Sequence, residues 1–97
     1  MKIIESSLYK QKLRFIALNI KKDKPSASVK FVKDLRSQIK SLTSMPKKYR
    51  KSHYYDHENV RDMIFKGYTI TYKIYDEYIL IVEIFNQNLP ILEDKYI

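Results

Sequence analysis

The sequence predicts an α+β domain in which a helical hairpin packs on one face of a mostly antiparallel four-stranded sheet, in the order β-α-α-β-β-β. Two observations lead to this prediction. In the stretch 67–86, β-branched and aromatic residues alternate with polar ones around a short acidic turn, Asp76-Glu77. Upstream, two apolar stripes at helical spacing, one within 8–22 and one after Pro25, are joined by a short link.

The N-terminal part begins with a predicted strand over 2–7 and continues with a helix over 8–22. The pair Ser6-Ser7 is a candidate cap, because a serine hydroxyl can accept a hydrogen bond from a first-turn N–H group. The apolar stripe of this helix consists of Leu13, Ile16, Ala17 and Ile20. Phe15 and Leu18 widen the apolar side beyond that stripe, so we expect them to be exposed for a partner.

A second helix is predicted to begin at Pro25, since proline fits the first helical turn, where its missing N–H group is not needed. Its apolar stripe consists of Phe31, Val32, Leu35, Ile39 and Leu42. Such stripes are typical of a core face rather than of a ligand site. The two helices should therefore form an antiparallel hairpin whose apolar sides cover the sheet.

The C-terminal half supplies the other three predicted strands. The first covers 59–65, and Gly67, the only glycine of the chain, follows where a positive φ angle lets the backbone turn into the next strand. In the last strand, residues 79–82 are all apolar, which indicates a central strand covered on both faces. The helices cover one face; a tail, a partner chain or a target is expected to cover the other.

The composition limits the class of protein. Residues 1–51 hold 15 Lys and Arg against 3 Asp and Glu, whereas residues 52–97 hold 4 against 8. A basic half indicates an acidic partner (nucleic acid, an acidic protein segment or a membrane surface) or merely a solvated helix surface. The absence of cysteine excludes disulfides. With no signal-peptide pattern and no apolar run near the roughly 18 residues of a membrane helix, we expect one cytoplasmic domain over 1–97 without membrane contact.

A long loop over 43–58 separates the helices from the last three strands, and long loops are frequent sites of function. Its cations suit phosphate contacts. Together with a strand arginine they form the candidate target-binding set Lys47, Lys48, Arg50, Lys51 and Arg61. The loop tyrosines Tyr49, Tyr54 and Tyr55 either stack on bases or fold back on the sheet.

Other chemistries have less support. A single glycine rules out a glycine-rich phosphate loop, and no serine lies in a nucleophile elbow. The spacing of His53 and His57 brings two imidazoles together only on a helix, which the loop does not predict, so we expect no metal and no cofactor. Arg61 is unusual as an arginine within a strand, and either pairs with Asp62 or Glu83 or reaches an anionic ligand.

Several short motifs occur in the same order as the predicted elements. They are Pro25 with Ala27 and Phe31, Leu35…Ile39…Leu42, Met45-Pro46-x-x-x-Arg50, Val60-Arg61-Asp62-Met63-Ile64, Tyr68-x-Ile70-x-Tyr72-x-Ile74 and the strand 79–84. In order and spacing they resemble the ParE branch of the RelE/ParE superfamily of bacterial toxins from type II toxin–antitoxin modules, over residues 2–87. The chain departs from the family at Tyr49, where glycine is usual, and at Phe85-Asn86-Gln87-Asn88, where a histidine-containing segment is common.

The resemblance implies a RelE/ParE-like fold and a toxin of the plasmid-stabilisation type. Relatives that cleave messenger RNA use Arg or Lys on the sheet and His or Tyr after the last strand. Here the region near Thr69 is uncharged and Gln87 and Asn88 follow the last strand, and an amide neither donates nor accepts protons near neutral pH. The resemblance therefore favours a toxin that inhibits DNA gyrase and is not an enzyme.

Two alternatives stay open. One is a ribosome-dependent mRNA endoribonuclease of RelE type with an unusual catalytic set drawn from Arg50, His53, Tyr55 and Arg61. The other is a decayed toxin or non-enzymatic binding module that only binds an antitoxin, with or without operator DNA.

The resemblance also implies a cognate antitoxin as partner, with operator DNA contacted only through the antitoxin complex. A flexible acidic antitoxin segment would suit the basic helices and any uncovered apolar surface. The residues that we expect to be exposed for it are Phe15, Leu18, Ile79, Ile81 and Phe85.

Overall fold

The computed structural model describes residues 1–86 and confirms the predicted α+β architecture. The elements are β1 (Lys2–Glu5), α1 (Ser7–Asp23), α2 (Pro25–Lys40), a 3₁₀ turn (Ser41–Thr43), β2 (Val60–Phe65), β3 (Tyr68–Ile74) and β4 (Tyr78–Asn86). The strands lie in the order β1-β4-β3-β2, with β1 parallel to β4 and the other pairs antiparallel. β4 is thus a central strand, as its apolar run predicts. The predicted tail, with Gln87 and Asn88, lies outside the described residues.

The start of α1 is fixed by one serine. The hydroxyl of Ser6 accepts a hydrogen bond from the N–H of Tyr9 at 3.0 Å, so Ser6 is the cap and Ser7 is the first helical residue. The same hydroxyl donates to the carbonyl of Val82 at 2.6 Å, which ties the helix start to the central strand. Because Ser6 serves as the cap, β1 ends at Glu5, two residues before the predicted end.

The core lies between the helical hairpin and one face of the sheet. The α2 stripe behaves as predicted, since only Val32 of its five residues is not fully in the core. The helices contribute the buried side chains of Tyr9, Leu13, Phe31, Leu35, Ile39 and Leu42. The sheet contributes Met63, Phe65, Ile70, Tyr72, Ile79, Ile81 and Ile84. The hairpin therefore covers β2, β3 and β4, and the half-buried Ile3 of β1 packs against the edge of this core.

The structure corrects one expectation about β4. Ile79 and Ile81 are both 0 % exposed, so the prediction that they form an uncovered apolar surface is wrong. Side chains alternate along a strand, and both isoleucines point towards the helices. A β-bulge then places Val82 as an extra residue, after which Ile84 again faces the core. An unbroken apolar run does not reveal which of its residues take the core side.

Both predicted turns are present. Gly67 has a φ angle of 85° and Lys66 one of 46°, so the glycine supplies the left-handed conformation that the β2–β3 turn needs. The Asp76-Glu77 turn joins β3 and β4. A carboxylate oxygen of Asp34 in α2 lies 3.1 Å from the ammonium nitrogen of Lys30 and 3.6 Å from that of Lys66. The contact with Lys66 links α2 to the β2–β3 turn. The hydrogen bond from Lys30 and the nearby charges lower the pKa of the Asp34 carboxyl.

The loop between the 3₁₀ turn and β2 covers the outer edge of the sheet. The N–H of Ser52 donates to the carbonyl of Val60 at 2.8 Å, and the N–H of Asp62 donates to the carbonyl of Arg50 at 3.2 Å. These bonds form an isolated β-bridge along β2. The loop thus satisfies backbone groups that an open edge strand would leave unpaired.

The same loop also covers part of the second face of the sheet. The buried carboxylate of Asp62 accepts hydrogen bonds from the backbone N–H of His53 at 3.2 Å and from the hydroxyl of Thr71 at 3.0 Å. The ring of Tyr54 packs edge-on against Phe85, with 5.1 Å between centroids. Part of the cover that the sequence left unassigned is therefore the chain's own loop.

Two buried tyrosines provide a matched test of hydrogen bonding in the core. The hydroxyl of Tyr72 donates to the carbonyl of Pro46 at 2.6 Å, whereas the hydroxyl of Tyr9 has no hydrogen-bond partner within residues 1–86. We expect Tyr72→Phe to lower the free energy of unfolding by about 1–2 kcal/mol, because it leaves the carbonyl without its donor. Tyr9→Phe should cost nothing, since it removes an unsatisfied buried group. Urea unfolding of both variants checks this, and equal losses would contradict it.

The same tyrosines should make stability fall at alkaline pH. Burial raises the pKa of Tyr72 from 10.0 to about 12, and burial also raises the pKa of Tyr9. Above pH 10 the unfolded chain releases these protons while the folded chain retains them, so each tyrosine lowers the free energy of unfolding by about 1.4 kcal/mol per pH unit until its folded pKa is reached. Thermal melts from about pH 8 to 11 measure this loss. A constant melting temperature would contradict the prediction, and Tyr9→Phe should flatten the decline.

Candidate functional site

An apolar groove runs between α1 and the ends of β3 and β4. Its volume is about 840 Å³, and the start of α2 closes one end. Its largest apolar lining residues are Phe15, Ile16, Ile20, Tyr68, Ile84 and Phe85. Phe15 is 67 % exposed and Leu18, one helical turn further, is 52 % exposed. An exposed phenylalanine and leucine beside an apolar groove mark a surface on which another molecule can bury apolar area.

The groove exists because α1 carries more apolar residues than the core accommodates. Tyr9 and Leu13 fill the space against the sheet. At 3.6 residues per turn, Phe15 and Leu18 lie on the side of the helix opposite to Leu13 and are therefore exposed to solvent. Their exposure confirms the sequence prediction. Of the other residues predicted for antitoxin contact, Phe85 is half-buried in the groove wall.

Sequence reasoning assigned three groove residues to no site. The apolar stripe of α1 predicts Ile16 and Ile20 only as core residues; both are half-buried, pack against the core and also line the groove. Ile84 lies beneath the groove with no exposed surface, because the β-bulge shifts its register by one residue and returns it to the core side. The broad apolar side of α1 indicates that Ile16 and Ile20 could contribute to an exposed apolar surface. Nothing in the sequence marks the position of the bulge.

An ion pair lies where α1 crosses β4. The ammonium of Lys12 contacts the carboxylate of Glu83, with side chains 40 % and 19 % exposed. The pair lies beside the groove, since Lys12 is one of its lining residues. It connects the helix to the central strand and adds a polar group to an otherwise apolar site.

The predicted target-binding cations of the loop form one exposed basic segment. Lys47, Lys48 and Arg50 are exposed, and the ammonium of Lys48 lies 5.5 Å from the ring centroid of the half-buried Tyr49. The ammonium of Lys51 is 3.4 Å from a carboxylate oxygen of Glu58. The loop thus presents several cations at the β2 edge of the sheet.

Arg61 has a different role, because its guanidinium holds this loop. Its Nη1 donates to the carbonyl of Tyr49 at 3.0 Å, and its Nη2 lies 3.5 Å from Glu58, with only 12 % of the side chain exposed. The prediction that Arg61 pairs with Asp62 or Glu83 is therefore wrong. Neighbouring strand residues point to opposite faces of the sheet, so Asp62 cannot reach the Arg61 guanidinium and bonds to Thr71 instead. Glu83 forms its ion pair with Lys12 of α1.

The four candidate catalytic residues share no bonded network. Arg50, His53 and Tyr55 are exposed on the loop, whereas Arg61 is largely buried. Within the described part of the chain, no hydrogen bond or ion pair joins the side chains of any two of them. His57 has a local role, because its Nδ1 accepts a hydrogen bond from the N–H of the residue two positions later at 3.0 Å.

Residues 1–86 contain no group of three or more histidine or acidic side chains placed to hold a metal ion. In the same residues, no helix is long and apolar enough to cross a membrane.

Comparison with known proteins gives two similarities. The model of a protein family described as the ParE toxin of type II toxin–antitoxin systems (parDE) matches residues 3–88. Among solved structures, the chain is similar to one described as "Chromosomal ParDE TA system from P. aeruginosa", with a TM-score of 0.73 and 17 % sequence identity. That similarity covers 89 % of this chain and 95 % of the other, and it shows the shared fold. No match to a curated protein was found.

Proposed function

Because the chain belongs to the ParE toxin family of type II toxin–antitoxin systems, we propose that it is a toxin that inhibits DNA gyrase in the cytoplasm and is neutralised by a cognate antitoxin. The family match extends over residues 3–88, and this observation carries the proposal. The similar solved structure is that of a ParDE toxin–antitoxin system, which supports an antitoxin as the partner of this chain.

The proposed antitoxin site is the apolar groove with its exposed edge. Phe15 and Leu18 are the anchors on α1, and Phe85 forms the opposite wall. A groove of this shape suits an amphipathic segment that inserts apolar side chains at helical spacing. The basic helices around it favour a segment with acidic residues, which would be flexible before binding. Ile79 and Ile81 are left out of this site, because their side chains have no accessible surface.

The proposed target-binding surface is the basic loop. Lys47, Lys48, Arg50 and Lys51 contact the target, and Arg61 keeps the loop on the sheet through the Tyr49 carbonyl. Two nitrogens of the Arg61 guanidinium already contact protein groups, so Arg61 is poorly available to a scissile phosphate, which weighs against its use in RNA cleavage.

A supercoiling assay with purified gyrase tests the proposal. The toxin should block supercoiling of relaxed plasmid, and the cognate antitoxin, co-purified from its genomic neighbour, should restore it. Primer extension on messenger RNA after induction provides the opposing readout. Site-specific cleavage within translated codons would contradict gyrase inhibition and favour the endoribonuclease. Unchanged growth on induction, with no effect in either assay, would indicate a decayed module.

A further inference from the structure

The net charge of the chain lies entirely in its helical hairpin. Residues 7–40 hold ten Lys and Arg against two Asp, a net charge of +8, which equals that of the whole chain. The remaining residues are balanced. Only Lys12 and Lys30 of the ten cations form an ion pair within residues 1–86. Among the described residues outside the hairpin, eight Lys and Arg stand against seven Asp and Glu, so the helical side is the concentrated positive surface.

Five of these cations line two neighbouring depressions, one on the outer side of the hairpin and one where the hairpin meets β1. One has a volume of about 670 Å³ and is lined by Lys21, Lys33 and Arg36. The other has a volume of about 800 Å³ and is lined by Lys10, Arg36 and Lys40. Arg36 lines both, so the five cations form one continuous basic surface. Among the described residues, the only carboxylate that lines one of the two depressions is that of Glu5 in β1.

Part of this arrangement opposes helix stability, whereas Lys21 and Lys40 lie in the last turns of their helices, where the helix dipole favours a cation. Lys33 and Arg36 are three residues apart, Arg36 and Lys40 are four apart, and like charges at these spacings repel by about 0.2–0.5 kcal/mol per pair. Neither helix carries an acidic residue in its first turn, where the helix dipole would favour one. Residues chosen only for solubility would mix both signs along the helices. The segregation therefore fits a surface selected to bind a polyanion.

The chemistry of the basic surface favours duplex nucleic acid. Cores of protein–protein interfaces are depleted in lysine and enriched in aromatic residues, whereas protein–DNA interfaces are much more positively charged. Among residues 1–86, no aromatic side chain lines either depression, so this part of the chain offers no platform on which unpaired bases could stack. From Lys33 to Lys40, α2 rises about 10 Å. Duplex DNA presents on the order of six phosphate charges over that length, close to the number of available cations.

We propose that the outer side of the α1–α2 hairpin binds the phosphate backbone of duplex DNA without reading its sequence. The chain then contacts DNA itself, and not only operator DNA through the antitoxin. This inference is independent of the proposed gyrase inhibition. The apolar groove and the basic surface have no lining residue in common, so DNA and an antitoxin segment can be bound together.

Fluorescence anisotropy with the full chain and a labelled duplex of about 20 base pairs tests the proposal over a range of NaCl concentrations. The test variant combines Lys33→Gln, Arg36→Gln and Lys40→Gln. The matched control combines Lys22→Gln, Lys66→Gln and Lys73→Gln, which removes the same number of charges at positions that line neither depression. We expect the test variant to bind at least about tenfold more weakly, with a salt slope shallower by about 3. The control should lose less than about threefold.

Several results would overturn the proposal. These are no binding by the unmodified chain at about 50 mM NaCl, equal losses in the two triple variants, or a control that loses more than the test variant. Tighter binding to phosphatidylserine vesicles or to polyglutamate than to the duplex would assign the surface to a membrane or to an acidic protein. A strong preference for one duplex sequence would contradict backbone binding. Circular dichroism of each variant establishes that it is folded, and gyrase activity has no part in any readout.

Discussion

Replacing Ile81 with alanine is expected to lower the free energy of unfolding by about 3–4 kcal/mol and the melting temperature by on the order of 15–25 °C. Ile81 is 0 % exposed in the central strand, between Glu5 of β1 and Tyr72 of β3. Hydrogen bonds to strands on both sides hold the backbone there, so the cavity left by the side chain cannot collapse readily. Urea unfolding followed by circular dichroism measures the loss.

The matched control is Leu18→Ala. Leucine and isoleucine are isomers, so both substitutions remove the same atoms. Leu18 is 52 % exposed on α1, and alanine is the better helix former, so we expect a change within about 0.5 kcal/mol. Similar losses in the two variants would contradict the assignment of Ile81 to the core and Leu18 to the surface.

This pair of residues also illustrates what the sequence can predict. The architecture follows from local signals, each of which has one strong structural meaning. Pro25 begins a helix, Gly67 permits a left-handed turn, and Asp76-Glu77 joins two strands of alternating pattern. These signals act over a few residues, and the order of elements follows from them.

The orientation of β4 does not follow from local signals. Ile79 and Ile81 face the core with no exposed surface while Leu80 and Val82 are half-buried, although all four residues are apolar. The position of the bulge at Val82 decides which later residue returns to the core side. Only the pairing with β3 defines that position, so it is a property of the assembled sheet.

The sequence also does not reveal which distant residues form hydrogen bonds and ion pairs with each other. Arg61 has an acidic neighbour at the next position, yet it bonds to Glu58 and to the Tyr49 carbonyl. The loop that supplies both groups has no periodic pattern, so nothing in its sequence indicates that it folds onto the sheet. By contrast, the exposed apolar side of α1 could be predicted, because Phe15 and Leu18 lie outside the single apolar stripe that the core can bury.

Phe15→Glu is expected to weaken antitoxin binding by about 100-fold while leaving the free toxin folded. Phe15 is 67 % exposed, so the substitution removes little core packing. In the complex it replaces an aromatic anchor by a carboxylate that must be desolvated without a partner. The roughly 100-fold weaker affinity corresponds to a loss of about 2.7 kcal/mol in binding free energy, which is typical for a residue at the centre of an interface. An acidic antitoxin segment would add like-charge repulsion. Isothermal titration calorimetry with the purified antitoxin measures the change.

Val29→Glu is the control for this prediction. Val29 is 71 % exposed and lies in the hairpin, but it lines the basic surface and not the apolar groove. The same charge introduced there should leave antitoxin affinity within about threefold. If both variants bind normally, the antitoxin occupies another face of the molecule. If both lose affinity equally, net charge rather than the groove governs binding.

The same variant separates neutralisation from toxicity. Phe15 lies on α1, whereas the cations proposed to contact gyrase, from Lys47 to Lys51, lie on the loop beside β2. Phe15→Glu should therefore still block supercoiling in vitro, and co-expressed antitoxin should no longer protect the cells. A variant that loses gyrase inhibition together with antitoxin binding would show that the two partners compete for the groove. In that case neutralisation would act by direct occlusion of the target site.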